Sequence, residues 1–165
     1  MEISYVRADL DDPRHRSAVR ELIAAYARDP EGSGRELPEQ VLDRLLPGLQ
    51  AHPTSLVFLA FDGDRPAGVA VCFVGFSTFA ARPLINVHDL AVLPEYRRRG
   101  VGRGLLRQVE HRARELACVK ITLEVRAENH VALALYRSFG FGDADIGAGS
   151  LRTWFLERRL DDAPA

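Results

Sequence analysis

Apolar and polar positions alternate between strand-like and helix-like patterns from the start of the chain. Residues 3–8 form a short apolar run that is typical of a first strand. Residues 11–30 then place apolar side chains at the spacing of one helix face. Asp11 or Asp12 can cap this helix, and Pro30 ends it. A second, shorter amphipathic helix is predicted over residues 37–53, after a glycine-containing loop.

The middle of the chain has the pattern of three strands. Residues 55–61 and 67–79 are apolar runs joined by the turn sequence DGDRP, which predicts a β-hairpin. Residues 84–92 form a further strand.

The last third returns to alternating helices and strands. A helix is predicted over residues 101–117, a strand over 119–125 and a helix over 128–140 that Gly140 ends. A final strand is predicted over residues 151–160. The predicted order is β-α-α-β-β-β-α-β-α-β-β, which indicates an α/β fold with a mixed central sheet flanked by helices.

Composition narrows the class of protein. The 165 residues are 47% hydrophobic and 27% charged, which predicts one globular domain over residues 1–165. The net charge of −1 argues against a nucleic-acid partner. Cys72 and Cys118 lie in or beside apolar runs without a CxxC partner, as buried thiols do, and the five histidines show no metal-ligand spacing. Residues 1–16 lack the apolar core of a signal peptide, and no apolar run is long enough for a membrane span, so we expect a cytoplasmic protein.

Positive charge and glycine meet in the sequence DLAVLPEYRRRGVGRGLL, residues 89–106. Three arginines at 97–99 precede Gly100 and Gly102 at the start of a predicted helix. The first amides of a helix have no intrahelical acceptor and lie at the positive end of its dipole. Glycines allow a ligand to approach these amides, and arginines add donors for phosphate oxygens. The segment therefore predicts an anion site.

Several motifs could explain this segment. A Walker loop would need GxxxxGK followed by Ser or Thr, which the sequence lacks. A dinucleotide fingerprint would need a third glycine where Leu105 stands. A solvated charge run and a nucleic-acid patch are further alternatives. The remaining motif is R-x-x-G-x-G, from Arg97 to Gly102, after a strand that ends at Val92.

With this motif, residues 55–141 resemble the GNAT superfamily of acyl-CoA N-acyltransferases. The second part of the resemblance is N-x-x-A-x-x-L-Y-x-x-x-G-F, from Asn129 to Phe141. In that family the R-x-x-G-x-G turn and the following helix hold the pyrophosphate of acetyl-CoA. Arg98 is a departure, since many members carry glycine there. The resemblance implies the GNAT-type acyl-CoA N-acyltransferase fold and acetyl-CoA as co-substrate, without a metal.

The resemblance also implies roles for single residues. The strand that ends at Val92 is expected to splay from strand 119–125, so that its main chain pairs with the pantetheine arm and offers an N–H to the developing oxyanion. Asn129 would hydrogen-bond the pantetheine, and Tyr136 would protonate the leaving thiolate, unless it is only a packed core aromatic. The implied acetyl-CoA-binding residues are Leu90, Ala91, Val92, Arg97, Arg98, Arg99, Gly100, Val101, Gly102, Arg103, Asn129 and Tyr136. Among the arginine side chains, Arg97 and Arg103 have the better positions for phosphate.

His88 and Asp89 are titratable residues in an otherwise apolar strand. His88 stands where the spermidine/spermine-acetyltransferase-like branch carries a glutamate base, and imidazole is suited to accept a proton near neutral pH. A structural histidine and a water chain are the alternatives. Strand alternation predicts that His88 and Asp89 face opposite sides, and Asp89 is expected to be structural or to orient a cationic substrate.

The acceptor side has weaker signals. Phe76 and Phe79 are expected either to wall the acceptor pocket or to be a plain core edge, and loop 31–36 is a candidate rim. The predicted function is direct acetyl transfer from acetyl-CoA to the amine of a small molecule, such as a polyamine or an amino sugar, by a homodimer. A non-catalytic acyl-CoA sensor and a protein N-terminal or lysine acetyltransferase are the alternatives.

Overall fold

The computed structural model of the protein describes residues 2–143 and 153–159. The helices in these residues are α1 (Pro13–Arg28), α2 (Glu39–Ala51), α3 (Val101–Glu115) and α4 (His130–Ser138), with a 3-10 turn at Pro94–Tyr96. The strands are β1 (Ile3–Arg7), β2 (Ser55–Asp62), β3 (Arg65–Ser77), β4 (Arg82–Val92), β5 (Lys120–Arg126), β6 (Gly142–Asp143) and β7 (Thr153–Arg159).

These strands form one mixed sheet in the order β1-β2-β3-β4-β5-β7-β6. Neighbouring strands are antiparallel except β4 and β5, which are parallel and connected through α3. The predicted element order and the mixed α/β class are therefore confirmed. The predicted bounds of β3, 67–79, are displaced by two residues, because the strand runs from Arg65 to Ser77 and Phe79 lies in the turn before β4. Leu151, Arg152 and Leu160 of the predicted last strand lie outside the described residues.

Helices cover both faces of the sheet. Leu22 of α1 and Leu46 of α2 pack with Leu59 and Val69 on one face. The other face carries α3 and α4, whose buried side chains pack with strand residues in a second cluster that includes Leu105. Burial of these apolar faces is the main stabilising contribution to the fold.

Helix starts follow the local sequence chemistry. Asp12 rather than Asp11 caps α1, since its carboxylate accepts the Arg14 N–H at 2.7 Å. Asn129 caps α4 in the same way, with its side-chain oxygen accepting the Ala132 N–H at 2.9 Å. Gly100 precedes α3 without any side-chain cap. The first amides of α3 are therefore left for another acceptor.

The parallel pair β4–β5 opens part of the way along its length. Residues 85–87 of β4 pair with residues 121–123 of β5, and the last pair is Val87 with Leu123. Beyond it β4 continues to Val92 and β5 to Arg126 without pairing each other. The predicted splay is confirmed, and it creates a gap in the middle of the sheet.

A β-bulge lies next to this gap. Val87 pairs with Cys72 and Asp89 pairs with Val71, so His88 is an extra residue in β4. Asp89 is thereby placed opposite Val71 on the face of α1, the face on which His88 contacts Phe73 with ring centroids 5.6 Å apart. The prediction that His88 and Asp89 face opposite sides is wrong, because a bulge shifts the alternation of a strand by one residue.

Gly68 allows close approach of β3 to the end of β4. A Cβ there would lie 2.8 Å from the Ala91 carbonyl oxygen and 3.2 Å from a Leu105 methyl carbon. We expect Gly68→Ala to lower the free energy of unfolding by about 1–3 kcal/mol through overpacking. Gly48→Ala is the matched control, since a Cβ in that part of α2 meets nothing within 4 Å. It should raise stability by about 0.5–1 kcal/mol. Urea denaturation measures both, and equal effects would contradict the close approach.

Candidate active site

The gap between β4 and β5 forms a cleft of about 960 Å³ that passes between α1 and α4. Its wall includes most of the residues that the sequence singled out. The predicted site residues that line it are His88, Leu90, Ala91, Val92, Arg97, Arg98, Gly100, Val101, Gly102, Arg103, Asn129 and Tyr136.

Four predicted site residues lie elsewhere in the described part of the chain. Asp89 and Arg99 are next to lining residues but are not in the wall of the cleft. Phe76 pairs with Pro83 at the far end of the β3–β4 hairpin, and Phe79 is fully exposed in its turn. The structure therefore brings neither phenylalanine to the cleft.

The turn before α3 exposes main-chain donors to the cleft. Arg98 and Gly100 both have left-handed backbone conformations, with φ of 59° and 83°. The helical bonds of α3 begin with the Gly104 N–H, which donates to the Gly100 carbonyl at 2.9 Å. The amides of residues 101–103 precede this bond and lie at the positive end of the helix dipole. This geometry suits a phosphate group.

The end of β4 offers further main-chain groups. Leu93 donates its N–H to the Ala67 carbonyl on β3 at 3.0 Å, so the N–H and C=O of Val92 point away from β3 toward the cleft. The Val92 carbonyl accepts Nε–H of Arg97 at 3.0 Å. The Val92 N–H therefore remains a donor directed at the cleft.

The two arginines predicted to hold phosphate differ in their surroundings. The guanidinium of Arg97 forms an ion pair with Asp29, which follows α1. Burial alone would raise the pKa of Asp29, but hydrogen bonds from Arg97 and the Glu31 amide, with the Arg97 charge, hold it below its usual value. Arg103 instead donates to the Ser138 hydroxyl at 2.5 Å beside the cleft. The side chain of Arg97 is thus committed to α1.

Tyr136 lies in the cleft wall on α4 with 7% of its surface exposed. Burial raises the pKa of its phenol well above the usual value, and negative charge on Tyr26, Asp89 or Cys72 would act in the same direction. The hydroxyl is therefore protonated at neutral pH and can donate a proton. Its ring also packs against the ring of Phe141, with the two centroids 5.8 Å apart. Tyr136 therefore contributes to the packing of the core and also offers a proton donor.

Asn129 is used inside its own helix. Its side-chain oxygen caps α4, and the side-chain NH₂ is left as a donor for the cleft that Asn129 lines.

His88 and Glu124 occupy the first positions after the last β4–β5 pair, one on each separated strand. Both are exposed, and both line the cleft. Asp89 is more buried, which raises the pKa of its carboxyl above the usual value, while the charge of His88 acts in the opposite direction. The mouth of the cleft therefore has two accessible groups that can accept a proton.

Sequence reasoning missed several residues in the cleft wall. Tyr26 and Asp29 come from the end of α1, and Glu124 and Arg126 come from β5. Glu31, from the predicted rim loop 31–36, also lines the cleft. Tyr26 looked like one more apolar residue of an amphipathic helix. Glu124 could have been singled out from the sequence, because it is the polar residue of an alternating strand that comes just before the motif containing Asn129.

A parallel strand pair that opens onto a glycine turn, with a protonated tyrosine across the cleft, defines the acyl-CoA N-acyltransferase fold. The chain belongs to the acetyltransferase (GNAT) family, whose model matches residues 17–141. Its fold is similar to that of the PaiA N-acetyltransferase from Thermoplasma acidophilum in complex with coenzyme A, with a TM-score of 0.72 and 17% identity, covering 97% of this chain and 100% of that one.

Two curated relatives differ in the activity that their names state. N-alpha-acetyltransferase RimI of Mycobacterium tuberculosis is 43% identical over 81 residues, which are 48% of this chain and 49% of the relative. Thialysine N-epsilon-acetyltransferase of Caenorhabditis elegans is 31% identical over 101 residues, which are 61% of this chain and 60% of the relative. The matched segments thus span about half the length of these relatives.

Among residues 2–143 and 153–159, no helix combines the length and the apolar character that a membrane span requires. The same residues contain no group of three or more His, Cys, Asp or Glu side chains placed to hold a metal ion.

Gly102 tests the turn as a phosphate site. A Cβ at this position would lie 3.1 Å from a Leu135 methyl carbon and 3.8 Å from a Val92 methyl carbon. We expect a larger side chain there to occupy space that a phosphate would need beside the amides of the turn. We expect Gly102→Val to weaken acetyl-CoA binding about tenfold or more, as loss of a charge-assisted hydrogen bond does. Calorimetry gives the affinity, and the denaturation midpoint separates it from folding. A folded variant with normal affinity would refute the phosphate site.

Proposed function

We propose that this protein transfers an acetyl group from acetyl-CoA to a primary amine, directly and without a covalent enzyme intermediate. One observation carries the proposal: the free amides at the start of α3 and the protonated phenol of Tyr136 line the same gap between β4 and β5. A phosphate site alone would suit any nucleotide. The end of β4, which does not pair with β5, can hold the arm of a thioester donor. The buried phenol of Tyr136 can protonate its leaving thiolate.

The residues present fit acetyl-CoA along the whole cleft. The main chain of Leu90–Val92, which pairs with β3 but not with β5, can bind an amide-containing arm on its free side as a further strand would. The amides of residues 101–103 suit the pyrophosphate, with the guanidinium groups of Arg98 and Arg103 on the cleft wall adding positive charge. Asn129 can donate to a carbonyl of the arm. When bound, acetyl-CoA supplies the activated acetyl thioester.

The side chains then divide the proton transfers. An acceptor that arrives as an ammonium ion must lose a proton before its nitrogen can attack, and His88 at the mouth of the cleft is the base that we propose. Glu124 on the opposite strand is the second candidate, favoured by its equivalent position after the last strand pair. The Val92 N–H stabilises negative charge on the carbonyl oxygen. Tyr136 protonates the leaving thiolate.

The acceptor that we propose is the amine of a small molecule. The carboxylates of Glu31 and Glu124 at the cleft would attract an ammonium group, and the thialysine acetyltransferase, by its name, acts on a small amine. A protein N terminus is the second candidate, favoured by the 43% identity to RimI over 81 residues. A homodimer remains a prediction from the family resemblance.

Turnover with a panel of acceptors tests the function. The panel contains polyamines, amino sugars, lysine analogues and short peptides with free N termini, and free coenzyme A is the product measured. Tyr136→Phe should lower kcat about 10²–10⁴-fold, since it removes only the proton donor. The Kd of acetyl-CoA should not change.

Tyr5→Phe is the matched control, because Tyr5 packs beside α3 outside the cleft. Its kcat should equal that of the wild type. Acetyl-CoA binding without turnover of any amine would instead support an acyl-CoA sensor. Equal rates for Tyr136→Phe and the wild type, with chemistry rate-limiting, would leave Tyr136 a packing role alone.

The pH dependence distinguishes the two candidate bases. Protonated imidazole cannot accept a proton, so His88→Gln should remove or shift the fall of kcat/KM at low pH, while Glu124→Gln should leave it in place. The acceptor must be weakly basic, so that its own protonation does not shape the profile. The phenol of Tyr136 stays protonated across this range because its pKa is raised. Superimposable profiles for His88→Gln and the wild type would exclude His88 as the base.

A further inference from the structure

Two arginines, one that follows β4 and one at the end of β5, hold one short segment between α1 and α2. Arg97, just beyond β4, binds Asp29, and Arg126, the last residue of β5, binds Pro30 and Glu31. The segment 29–31 therefore bridges the open ends of β4 and β5. We call it the bridging segment.

The guanidinium of Arg97 binds two different acceptor groups. Nε–H donates to the Val92 carbonyl at 3.0 Å, and Nη2 pairs with the Asp29 carboxylate. The Asp29 side chain is only 12% exposed, and Arg97 and the Glu31 amide hold its pKa below the usual value despite burial. Exposed ion pairs contribute little, but a mostly buried carboxylate is costly to leave without its partner. The Arg97–Asp29 pair therefore fixes the end of α1 to the end of β4.

The Arg126 contact is more exposed but has a main-chain partner. Nη2 donates to the Pro30 carbonyl at 2.8 Å and lies 3.2 Å from Glu31 Oε2. The two side chains of this ion pair are about half exposed, at 50% and 49%. The hydrogen bond to the Pro30 carbonyl positions the backbone of the bridging segment, independently of how much the exposed ion pair contributes to stability.

Asp29 passes this restraint on to the rest of the loop. Its carboxylate accepts the Glu31 amide at 2.8 Å, and its carbonyl accepts the amides of Gly32 and Gly34 at 2.9 and 3.1 Å. Gly32 packs so closely that a Cβ would lie 2.0 Å from the Tyr26 carbonyl oxygen. Release of Asp29 would therefore loosen Glu31 and Gly32, which line the cleft.

We propose that Arg97 and Arg126 are positioning residues that hold the bridging segment as the acceptor-side wall of the cleft, and that Arg97 is not a phosphate ligand. The proposal rests on the proposed function only for the identity of the amine. On the acetyl-CoA side of the cleft, Arg98 and Arg103 make no contact with the bridging segment among the described residues. Arg97 contacts this side through the Val92 carbonyl and leaves the Val92 N–H to the coenzyme arm. The two arginines of the bridge thus set acceptor binding and not coenzyme binding.

Single and double substitutions test the proposal. Arg97→Ala and Asp29→Ala should each raise KM for the amine and lower kcat/KM about tenfold or more, since small misplacements of a substrate site cost this much. The double variant should be no worse than either single variant, because both remove the same pair. Arg126→Ala should act in the same direction. The Kd of acetyl-CoA, measured by calorimetry, should stay within about twofold in every variant.

Hydrogen exchange gives a readout that needs no turnover. The amides of Glu31, Gly32 and Gly34 should exchange faster in Arg97→Ala and in Asp29→Ala, while amides of the central sheet should not change. Arg20→Ala is the matched control, since Arg20 forms an equivalent surface pair with Glu39 and Asp43 between α1 and α2, outside the cleft. It should leave exchange of these loop amides and all kinetic constants as in the wild type.

Two results would overturn the proposal. If Arg97→Ala raises the Kd of acetyl-CoA tenfold while Asp29→Ala does not, Arg97 is a phosphate ligand and the proposal is overturned. Unchanged loop exchange in both variants would also overturn it. If Arg97→Ala does not fold, Arg97→Lys serves instead, because lysine keeps the charge but lacks the fork that reaches both partners, and it should give intermediate exchange. If no amine is turned over, the proposed acetyltransferase function is wrong. Hydrogen exchange and the Kd of acetyl-CoA still test whether the two arginines hold the bridging segment.

Discussion

The end of hydrogen bonding between β4 and β5 is the constraint on which the site depends. Pairing stops at Val87 and Leu123, although both strands continue. Backbone groups beyond this point need other partners, since buried amides and carbonyls are rarely left unpaired. The arm of an acyl-CoA can meet that need on the β4 side, and the Arg97 side chain meets part of it by donating to the Val92 carbonyl. The bridging segment, held by Arg97 and Arg126, spans the open ends of the two strands. One interruption in the sheet thus creates both a binding cleft and the restraint on its width.

Charge is distributed unevenly around this gap. The coenzyme side offers main-chain amides at a helix start, whose dipole favours anions whatever the protonation state of nearby side chains. The acceptor side offers carboxylates and a histidine, whose charges depend on pH and on their neighbours. Tyr136 lies between them, buried enough that its phenol stays protonated. In the proposed mechanism, this arrangement places a proton donor near the leaving sulfur and the proton acceptors at the mouth.

Most of the fold and the coenzyme side could be predicted from the sequence, because both depend on local patterns. Strand alternation, helix spacing and the R-x-x-G-x-G turn are each read within a few residues. The bulge at His88 could not be predicted, since it depends on the register between β3 and β4. The partner of Arg97 was hidden for a similar reason, because Asp29 is 68 positions away in the chain. Phe76 and Phe79 were misleading because apolar residues beside a strand do not reveal which end of the hairpin meets the site.

The same contrast explains why the coenzyme is easier to infer than the acceptor. Recognition of a pyrophosphate needs main-chain amides and glycines in a fixed local order, which a short motif records. Recognition of the amine depends on a wall assembled from α1, β4 and β5, where Arg126 reaches Glu31 across 95 positions of sequence. Changes in the bridging segment can therefore alter the acceptor while the turn amides stay in place. One relative named as an N-alpha-acetyltransferase and another named as a thialysine N-epsilon-acetyltransferase are compatible with a shared kind of coenzyme site.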